Sequence, residues 1–240
     1  MKKWTMAILL FDLVAGLLFL ALWEQRGTIT VDGESVNVSD KDAETAGRCL
    51  EEQAEDVRKI ALTFDDGPHP YYTEELLDGL KERGVVATFF VTGEHASLHP
   101  DVVKRMQEEG HLIGNHTYSH MQLTKRNREK FKEELVKTNE ILEEITGVEV
   151  EYVRPPYGSW DKSFEAELNM IPVLWTIDPL DWCSSNVGWI TKRVVDKAGE
   201  NEIILMHDYY DTSVTAALKV VDELLEEGYV FVTVDEILFE

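Results

Sequence analysis

Residues 59–68 read KIALTFDDGP, and the fold is built around this stretch. Its first half is apolar, which predicts a buried strand, and a Gly-Pro pair breaks the chain directly after two acids. Asp65 and Asp66 therefore lie at the carboxyl end of that strand, on the rim of a turn. Two adjacent carboxylates repel each other, so they favour a site where a cation or a reacting proton separates their roles. An Asp-Gly turn in which the acid only caps the loop is the alternative interpretation.

The composition is that of an acidic, folded chain of 240 residues with a formal net charge of −23. With 46 acidic against 23 basic residues, the chain lacks the basic footprint that nucleic acids require, so we expect no nucleic-acid partner. A hydrophobic fraction of 44% excludes general disorder, and the length suits one sizeable core. Cys49 and Cys183 are far apart and have no metal-like spacing, which leaves open two unrelated thiols or a disulfide.

The N-terminus carries an apolar segment, residues 4–23, preceded by two lysines. A helix of that length spans about 30 Å, the thickness of a bilayer core. A cleaved signal peptide is the alternative, but the segment lacks an A-x-A-like cleavage site. We therefore expect residues 1–26 to be an uncleaved membrane anchor of a single-pass protein. The two lysines place the remainder of the chain outside the cell, and the protein is secreted if the segment is cleaved.

Residues 27–57 are interpreted as a stalk or linker between the anchor and the main domain. Apolar and polar residues alternate on both sides of an Asp-Gly pair at positions 32 and 33, which indicates a small hairpin. The rest of this segment is polar and shows no pattern typical of a chemical site.

From residue 58 onward, strand-like runs alternate with helical stretches. Alternation of this kind predicts βα units and a mainly parallel sheet, and seven runs favour an α/β fold of the distorted (β/α)7-type barrel. The strand-like runs are 59–65, 86–92, 111–115, 151–154, 171–177, 202–206 and 229–234. The helical stretches are 73–83, 100–109, 126–146, 187–198 and 213–227.

Histidines follow the third run in the segment NHTYSH, where His116 and His120 are four residues apart. One helical turn would place both imidazoles on the same face, a spacing used for a shared metal ion. With one carboxylate of the Asp65-Asp66 pair, the set becomes two histidines and one aspartate, with positions left open for water, as in catalytic sites. Two surface histidines on a turn are the alternative. The same ligands also suit non-haem iron.

Polar residues also follow the fourth, fifth and sixth runs. Arg154 ends the fourth run and can hold a carboxylate ionised, although a surface arginine on a proline-stiffened loop is equally consistent with the pattern. Asp181 and Trp182 follow the fifth run, and His207 follows the sixth. A lone histidine is more often structural than catalytic, but the carboxyl ends of parallel strands meet at one edge of the barrel, where we expect these groups to converge.

Five segments in order, TFDDGP, NHTYSH, RPPYGSW, DPLDW and LMHD, resemble the five motifs of polysaccharide deacetylases of carbohydrate esterase family 4, the NodB-homology type. The resemblance covers residues 58–240 and implies a distorted (β/α) barrel. It also implies that Asp65 is the general base and that Arg154 tethers it. Asp66, His116 and His120 would bind a divalent metal, usually Zn²⁺, with Co²⁺, Mn²⁺ or Fe²⁺ left open.

The same resemblance assigns roles on the other side of the site. The backbone N–H of Tyr157 would help to form an oxyanion hole. Asp181 would orient His207, the general acid, and Trp182 and Leu205 would line the pocket for the acetyl methyl group.

The implied activity is metal-dependent N-deacetylation of an extracellular polysaccharide, with N-acetylglucosamine units of peptidoglycan as the expected target. N-acetylmuramic acid, chitin-type oligomers and O-acetylated glycans remain alternatives, because the five motifs do not separate them. A catalytically retired wall-binding module is the alternative of another class. Besides the polysaccharide, we expect the membrane as a partner through the N-terminal helix, and a monomeric protein.

Overall fold

The computed structural model describes residues 29–31, 34–36 and 57–239, and the chain divides into two compact units, Met1–Asp56 and Val57–Glu240. In the first unit, strands β1 (Ile29–Val31) and β2 (Glu34–Val36) pair antiparallel, which agrees with the predicted hairpin. The predicted anchor and Cys49 lie outside the described residues. Within the described part of the chain, no helix is long and apolar enough to cross a membrane.

The second unit contains a sheet of seven parallel strands, which confirms the predicted parallel α/β architecture and matches the seven strand-like runs. These strands are β3 (Arg58–Asp65), β4 (Thr88–Val91), β5 (Leu112–Asn115), β6 (Tyr152–Val153), β7 (Ile171–Pro172), β8 (Glu202–His207) and β9 (Tyr229–Val232).

The last helix follows the last strand, and the other helices lie between strands; five helices correspond to the predicted helical stretches. In chain order they are α1 (Tyr72–Arg83), α2 (Gly93–Leu98), α3 (Pro100–Glu108), α4 (Arg128–Thr146), α5 (Ser163–Leu168), α6 (Val187–Val195), α7 (Asp211–Glu226) and α8 (Val234–Leu238). The sequence patterns missed α2, α5 and α8, because each has six residues or fewer, too short for a helical period to stand out.

The strand order is β7-β6-β5-β4-β3-β8, and β9 pairs with the first half of β3. The backbone after β7 then reaches the opposite edge, where Ile177 forms a parallel bridge to Ile204 of β8. The N–H of Leu205 donates to the carbonyl of Ile177 over 2.9 Å. The segment 171–177 therefore joins the two edges, and the sheet curves toward a barrel with one irregular wall.

Strand β3 is central because β4, β8 and β9 all pair with it. Its side chains alternate between two environments, as the period of a strand requires. Ile60, Leu62 and Phe64 pack in the large cluster that includes the helices. Ala61 belongs to a second cluster, on the inner side of the curved sheet, with Phe90 and Tyr152 among its members. By the same alternation, Thr63 and Asp65 also lie on the inner side.

The strand register brings the polar strand ends together. Asp65, the last residue of β3, pairs directly with His207, the last residue of β8. On the other side, β5 ends at Asn115, which pairs with Val153 of β6 just before Arg154. Because all these strands are parallel, their carboxyl ends form one edge of the barrel, and the residues after them share a common cavity.

Candidate active site

A buried ion pair lies at the base of the site. Arg154 is fully buried, and its Nη1 donates to Oδ1 of Asp65 over 2.8 Å and to Oγ1 of Thr63 over 2.6 Å. Its Nε donates to the carbonyl of Val173 over 3.2 Å, and the guanidinium stacks over the ring of Phe90 at 4.2 Å. These partners hold the guanidinium on the inner side of the sheet, where it fixes the orientation of the Asp65 carboxylate.

Asp66, His116 and His120 form a group of three ligand atoms that all lie within 4.8 Å of one another. Oδ1 of Asp66 is 3.4 Å from Nε2 of each histidine. Asp66 has a φ of 75°, a left-handed conformation that aspartate tolerates better than most residues. This turn of the backbone lets Asp65 and its neighbour, which would point to opposite sides of a continuing strand, line one cavity.

The two histidines are brought together by a bend and not by a helical turn, so that part of the prediction is wrong. Residues 116–120 are non-helical, and both Thr117 and His120 have left-handed φ angles, 62° and 55°. The bend is held by Glu134 of α4, whose carboxylate accepts from the backbone N–H and the hydroxyl of Ser119 over 3.0 and 2.7 Å. The two imidazole rings still lie close together, with 5.0 Å between centroids and a tilt of 49° between their planes.

The donor set fits a divalent cation. Oδ1 of Asp66 is buried and has no hydrogen-bond partner among the described residues. Burial alone would raise the pKa of Asp66, but contact with His116 and the charges of His116, His120 and His207 lower it to about 2, so the carboxylate is ionised. The Nδ1 of His116 bonds to the carbonyl of Arg154 over 2.6 Å, which leaves Nε2 free as a ligand.

His207 faces this group from strand β8 and is paired with a second carboxylate. Its Nδ1 bonds to Oδ1 of Asp181 over 2.9 Å, and its backbone N–H donates to Oδ2 of the same residue over 2.9 Å. Burial would lower the pKa of His207, but the hydrogen bond and charge of Asp181, together with Asp65 and Asp66, outweigh it and raise the pKa to about 9. The imidazole is therefore cationic at neutral pH.

A cavity of about 360 Å³ contains these groups, and it includes most of the residues singled out in the sequence. Its lining comprises Asp65, Asp66, His116, His120, Tyr157, Trp175, Asp178, Trp182, Leu205 and His207. Leu205 is buried, whereas Trp182 and Tyr157 are exposed at the rim. The sequence interpretation missed Trp175, because a tryptophan within an apolar run looks like any other core residue.

Several supporting contacts were also missed. His95 of α2 bonds through Nδ1 to the backbone carbonyl of Asp66 over 2.7 Å. Asp208 is buried behind the turn, where burial raises its pKa to about 7 and Thr73 donates to its Oδ2 over 2.5 Å. A Cβ at Gly67 would lie 2.2 Å from that oxygen, so only glycine fits there. No sequence signal distinguishes His95, and Asp208 stands in the LMHD segment without an assigned role.

Fold and site together define a class. Parallel strands present two histidines and a carboxylate for a cation, with a buried carboxylate and a protonated imidazole in the same cavity. Such an arrangement is typical of metal-assisted hydrolases, which keep coordination positions open for water and substrate.

The chain belongs to the polysaccharide deacetylase family, whose model matches residues 52–173. It is 40% identical to the peptidoglycan-N-acetylmuramic acid deacetylase PdaC of Bacillus subtilis over 74% of this chain and 38% of that protein. It is 39% identical to the peptidoglycan-N-acetylglucosamine deacetylase PgdA of Listeria monocytogenes over 76% of this chain and 39% of the relative. The chain thus spans about two fifths of the length of these two relatives.

A third relative is the chitooligosaccharide deacetylase of Rhizobium leguminosarum bv. trifolii, 43% identical over 66% of this chain and 75% of that protein. The solved structure of Bacillus subtilis PdaC superimposes with a TM-score of 0.74 and 39% identity, covering 76% of this chain and 91% of that chain. These similarities confirm the resemblance inferred from the five motifs.

Proposed function

We propose that this protein is a metal-dependent hydrolase that removes N-acetyl groups from N-acetylglucosamine units of extracellular peptidoglycan. The observation that carries the proposal is the meeting of three elements in one cavity: a ligand trio, a buried Asp65–Arg154 pair and a cationic His207. The relatives' names support a polysaccharide substrate. The intact set of catalytic residues argues against the retired-module alternative, because each catalytic position of the resemblance carries the expected residue.

The cation would be held by Asp66, His116 and His120, with Zn²⁺ as the first candidate and Co²⁺, Mn²⁺ or Fe²⁺ as alternatives. When bound, it would supply Lewis acidity, which activates water and polarises a carbonyl. The protein residues perform the proton transfers. Asp65 accepts the proton of the attacking water, and Arg154 keeps that carboxylate oriented and its charge compensated.

The amine leaving group needs a proton as the C–N bond breaks, because an amide anion is a very poor leaving group. His207 donates this proton, and Asp181 holds the ring and supports its cationic form. A base and an acid in one cavity require opposite environments, which the Arg154 and Asp181 partners provide. The N–H of Tyr157 would stabilise the developing oxyanion, and Trp182 and Leu205 would receive the acetyl methyl group.

The location of the protein completes the proposal. Residues 1–26 would anchor a monomer in the cell membrane, with residues 27–57 as a stalk and the catalytic unit outside. If the N-terminal segment is cleaved, the same unit is secreted. Expression in bacteria followed by N-terminal sequencing and protease accessibility of intact cells tests both points.

The activity is tested with the full chain, purified in detergent and supplied with Zn²⁺. It is incubated with peptidoglycan fragments and, separately, with N-acetylglucosamine oligomers, and acetate and free amines are measured by mass spectrometry. Free glucosamine in the wall fragments is the expected result. Deacetylated muramic acid, or turnover of the simple oligomers alone, would reassign the sugar. Release of acetate only from O-acetyl esters would contradict the proposed hydrolysis of N-acetyl groups.

A further inference from the structure

A second concave surface, the basic groove, is connected to the catalytic cavity through consecutive residues of the chain. Tyr157 lines the cavity, and the next residue, Gly158, lines the groove, which has a volume of about 830 Å³. The groove also contains Lys125, Arg128, Ser159, Trp160, Asp161 and Lys162. A polymer whose acetylated sugar occupies the cavity would continue into such a neighbouring surface.

The charge of the groove is opposite to that of the chain as a whole. Its lining carries three cationic side chains, Lys125, Arg128 and Lys162, against one carboxylate, Asp161, although the chain has a net charge of −23. The charge of Arg128 is already compensated within the protein, because this side chain forms ion pairs with Asp161 and Glu167.

The two lysines differ from Arg128 in this respect. Both are exposed, and neither has an ion-pair or hydrogen-bond partner in the part of the chain that the structure describes. Two ammonium groups without internal partners remain available to a ligand, and their location in an otherwise acidic protein gives the groove a local attraction for anions.

Trp160 provides the surface for the sugar itself. Its indole packs against Phe164 at 5.5 Å between centroids, and Nε1 donates to Oε1 of Glu165 over 3.3 Å. The half-buried ring is therefore held in place, with part of its surface open to the groove. Aromatic rings offer flat apolar surface of the kind that packs against the C–H faces of sugars.

We infer that the basic groove binds a carboxylate-bearing part of the glycan next to the sugar in the cavity, with Lys125 and Lys162 as the groups that recognise the carboxylate. The inference rests on the proposed function and deepens it, since it selects polymers with attached acidic peptides over neutral chitin-type chains. Each lysine acts as an exposed point charge, so the contribution of the two lysines to binding affinity is moderate and decreases as the salt concentration rises.

The test measures binding and turnover separately. The double variant Lys125→Ala/Lys162→Ala is compared with a charge-matched control, Lys104→Ala/Lys197→Ala, whose lysines are exposed and lie outside the groove. The ligands are peptidoglycan fragments with free peptide carboxylates, the same fragments with those carboxylates amidated, and neutral N-acetylglucosamine oligomers. Kd is obtained by calorimetry on the full chain, with kcat and KM from acetate release.

We expect the groove variant to raise Kd and KM for the carboxylate fragments about three- to tenfold, with kcat and all values for neutral ligands unchanged. Added NaCl should abolish the difference from wild type, and the control variant should match wild type. The inference would be overturned if the groove variant and wild type had equal Kd values for the carboxylate fragments. It would also be overturned if the variant lost as much affinity for the amidated fragments as for the carboxylate ones. Selective binding without any turnover would instead overturn the proposed activity and leave the groove assignment standing.

Discussion

The Nδ1 of His116 donates to the backbone carbonyl of Arg154, with 2.6 Å between the nitrogen and the oxygen. The side chain of the same arginine binds Asp65 over 2.8 Å. One residue therefore orients a candidate cation ligand through its main chain and the proposed base through its side chain. Both contacts are buried, so the positions of His116 and Asp65 both depend on Arg154, which directly follows strand β6.

Removal of the Arg154 charge should destabilise the fold as well as the site. In Arg154→Met, the buried Asp65 carboxylate loses its compensating charge, and the free energy of unfolding should fall by about 3–5 kcal/mol. Urea denaturation followed by circular dichroism measures this change. Arg126→Met, which removes an exposed arginine, is the control and should change stability by less than about 0.5 kcal/mol. Similar effects of the two substitutions would show that the buried pair does not contribute as described.

Cation binding and proton transfer should separate by mutation. His120→Ala removes one of three ligands, so both the metal content and the activity should be lost. Asp65→Asn keeps the trio and should retain the metal while kcat falls about 10²- to 10⁴-fold. Elemental mass spectrometry after dialysis, combined with acetate release, measures both quantities. Treatment with a chelator should abolish activity, and Zn²⁺ should restore it. An Asp65→Asn enzyme near wild-type kcat would exclude the base assignment.

The alkaline limb of the pH–rate profile should report His207. The pKa of this imidazole is raised to about 9, so the cationic form that can donate a proton persists through neutral pH and is lost as the pH rises through about 9. Asp181→Asn removes the charge that opposes the effect of burial, so the pKa should fall and the limb should move to lower pH. A profile of kcat against pH for both proteins tests this shift. An unmoved limb would assign that titration to another group.

Glu134 should affect the affinity of the proposed site for a cation, although it is not one of the ligands. Its two oxygens hold Ser119, in the bend between His116 and His120. Glu134→Ala frees this bend, and the metal Kd should rise about 10- to 100-fold, the usual range for groups that orient ligands. Competition with a chromophoric chelator measures the Kd. Glu133→Ala, at an exposed position on the same helix, should leave it unchanged. Equal affinities in both variants would limit Glu134 to a role in folding.

Much of the fold was predictable because its signals are local. Seven apolar runs, each ended by polar or turn-forming residues, correspond to seven parallel strands, and the long amphipathic stretches correspond to helices. The short helices were not predictable, since six residues are too few to show a helical repeat of apolar residues. Trp175 was not predictable as a site residue, since a tryptophan in an apolar run cannot be distinguished from a core residue. The four-residue spacing of His116 and His120 predicts a helical turn, but the structure has a bend there, because that spacing fits both geometries.

By itself, the sequence determined the family, the parallel α/β architecture and the residue types that meet at the strand ends, because five short motifs and a regular alternation are local properties. Only the tertiary structure decided that Arg154 is fully buried and also binds Thr63, that the Asp66 backbone turns left-handed toward two histidines, and that two lysines with no partner among the described residues lie in the basic groove. Those features depend on strand register, on burial and on contacts between residues distant in the chain. Burial and neighbouring charges set pKa values and the pairing of charges, and neither burial nor neighbouring charge can be derived from the order of residues alone.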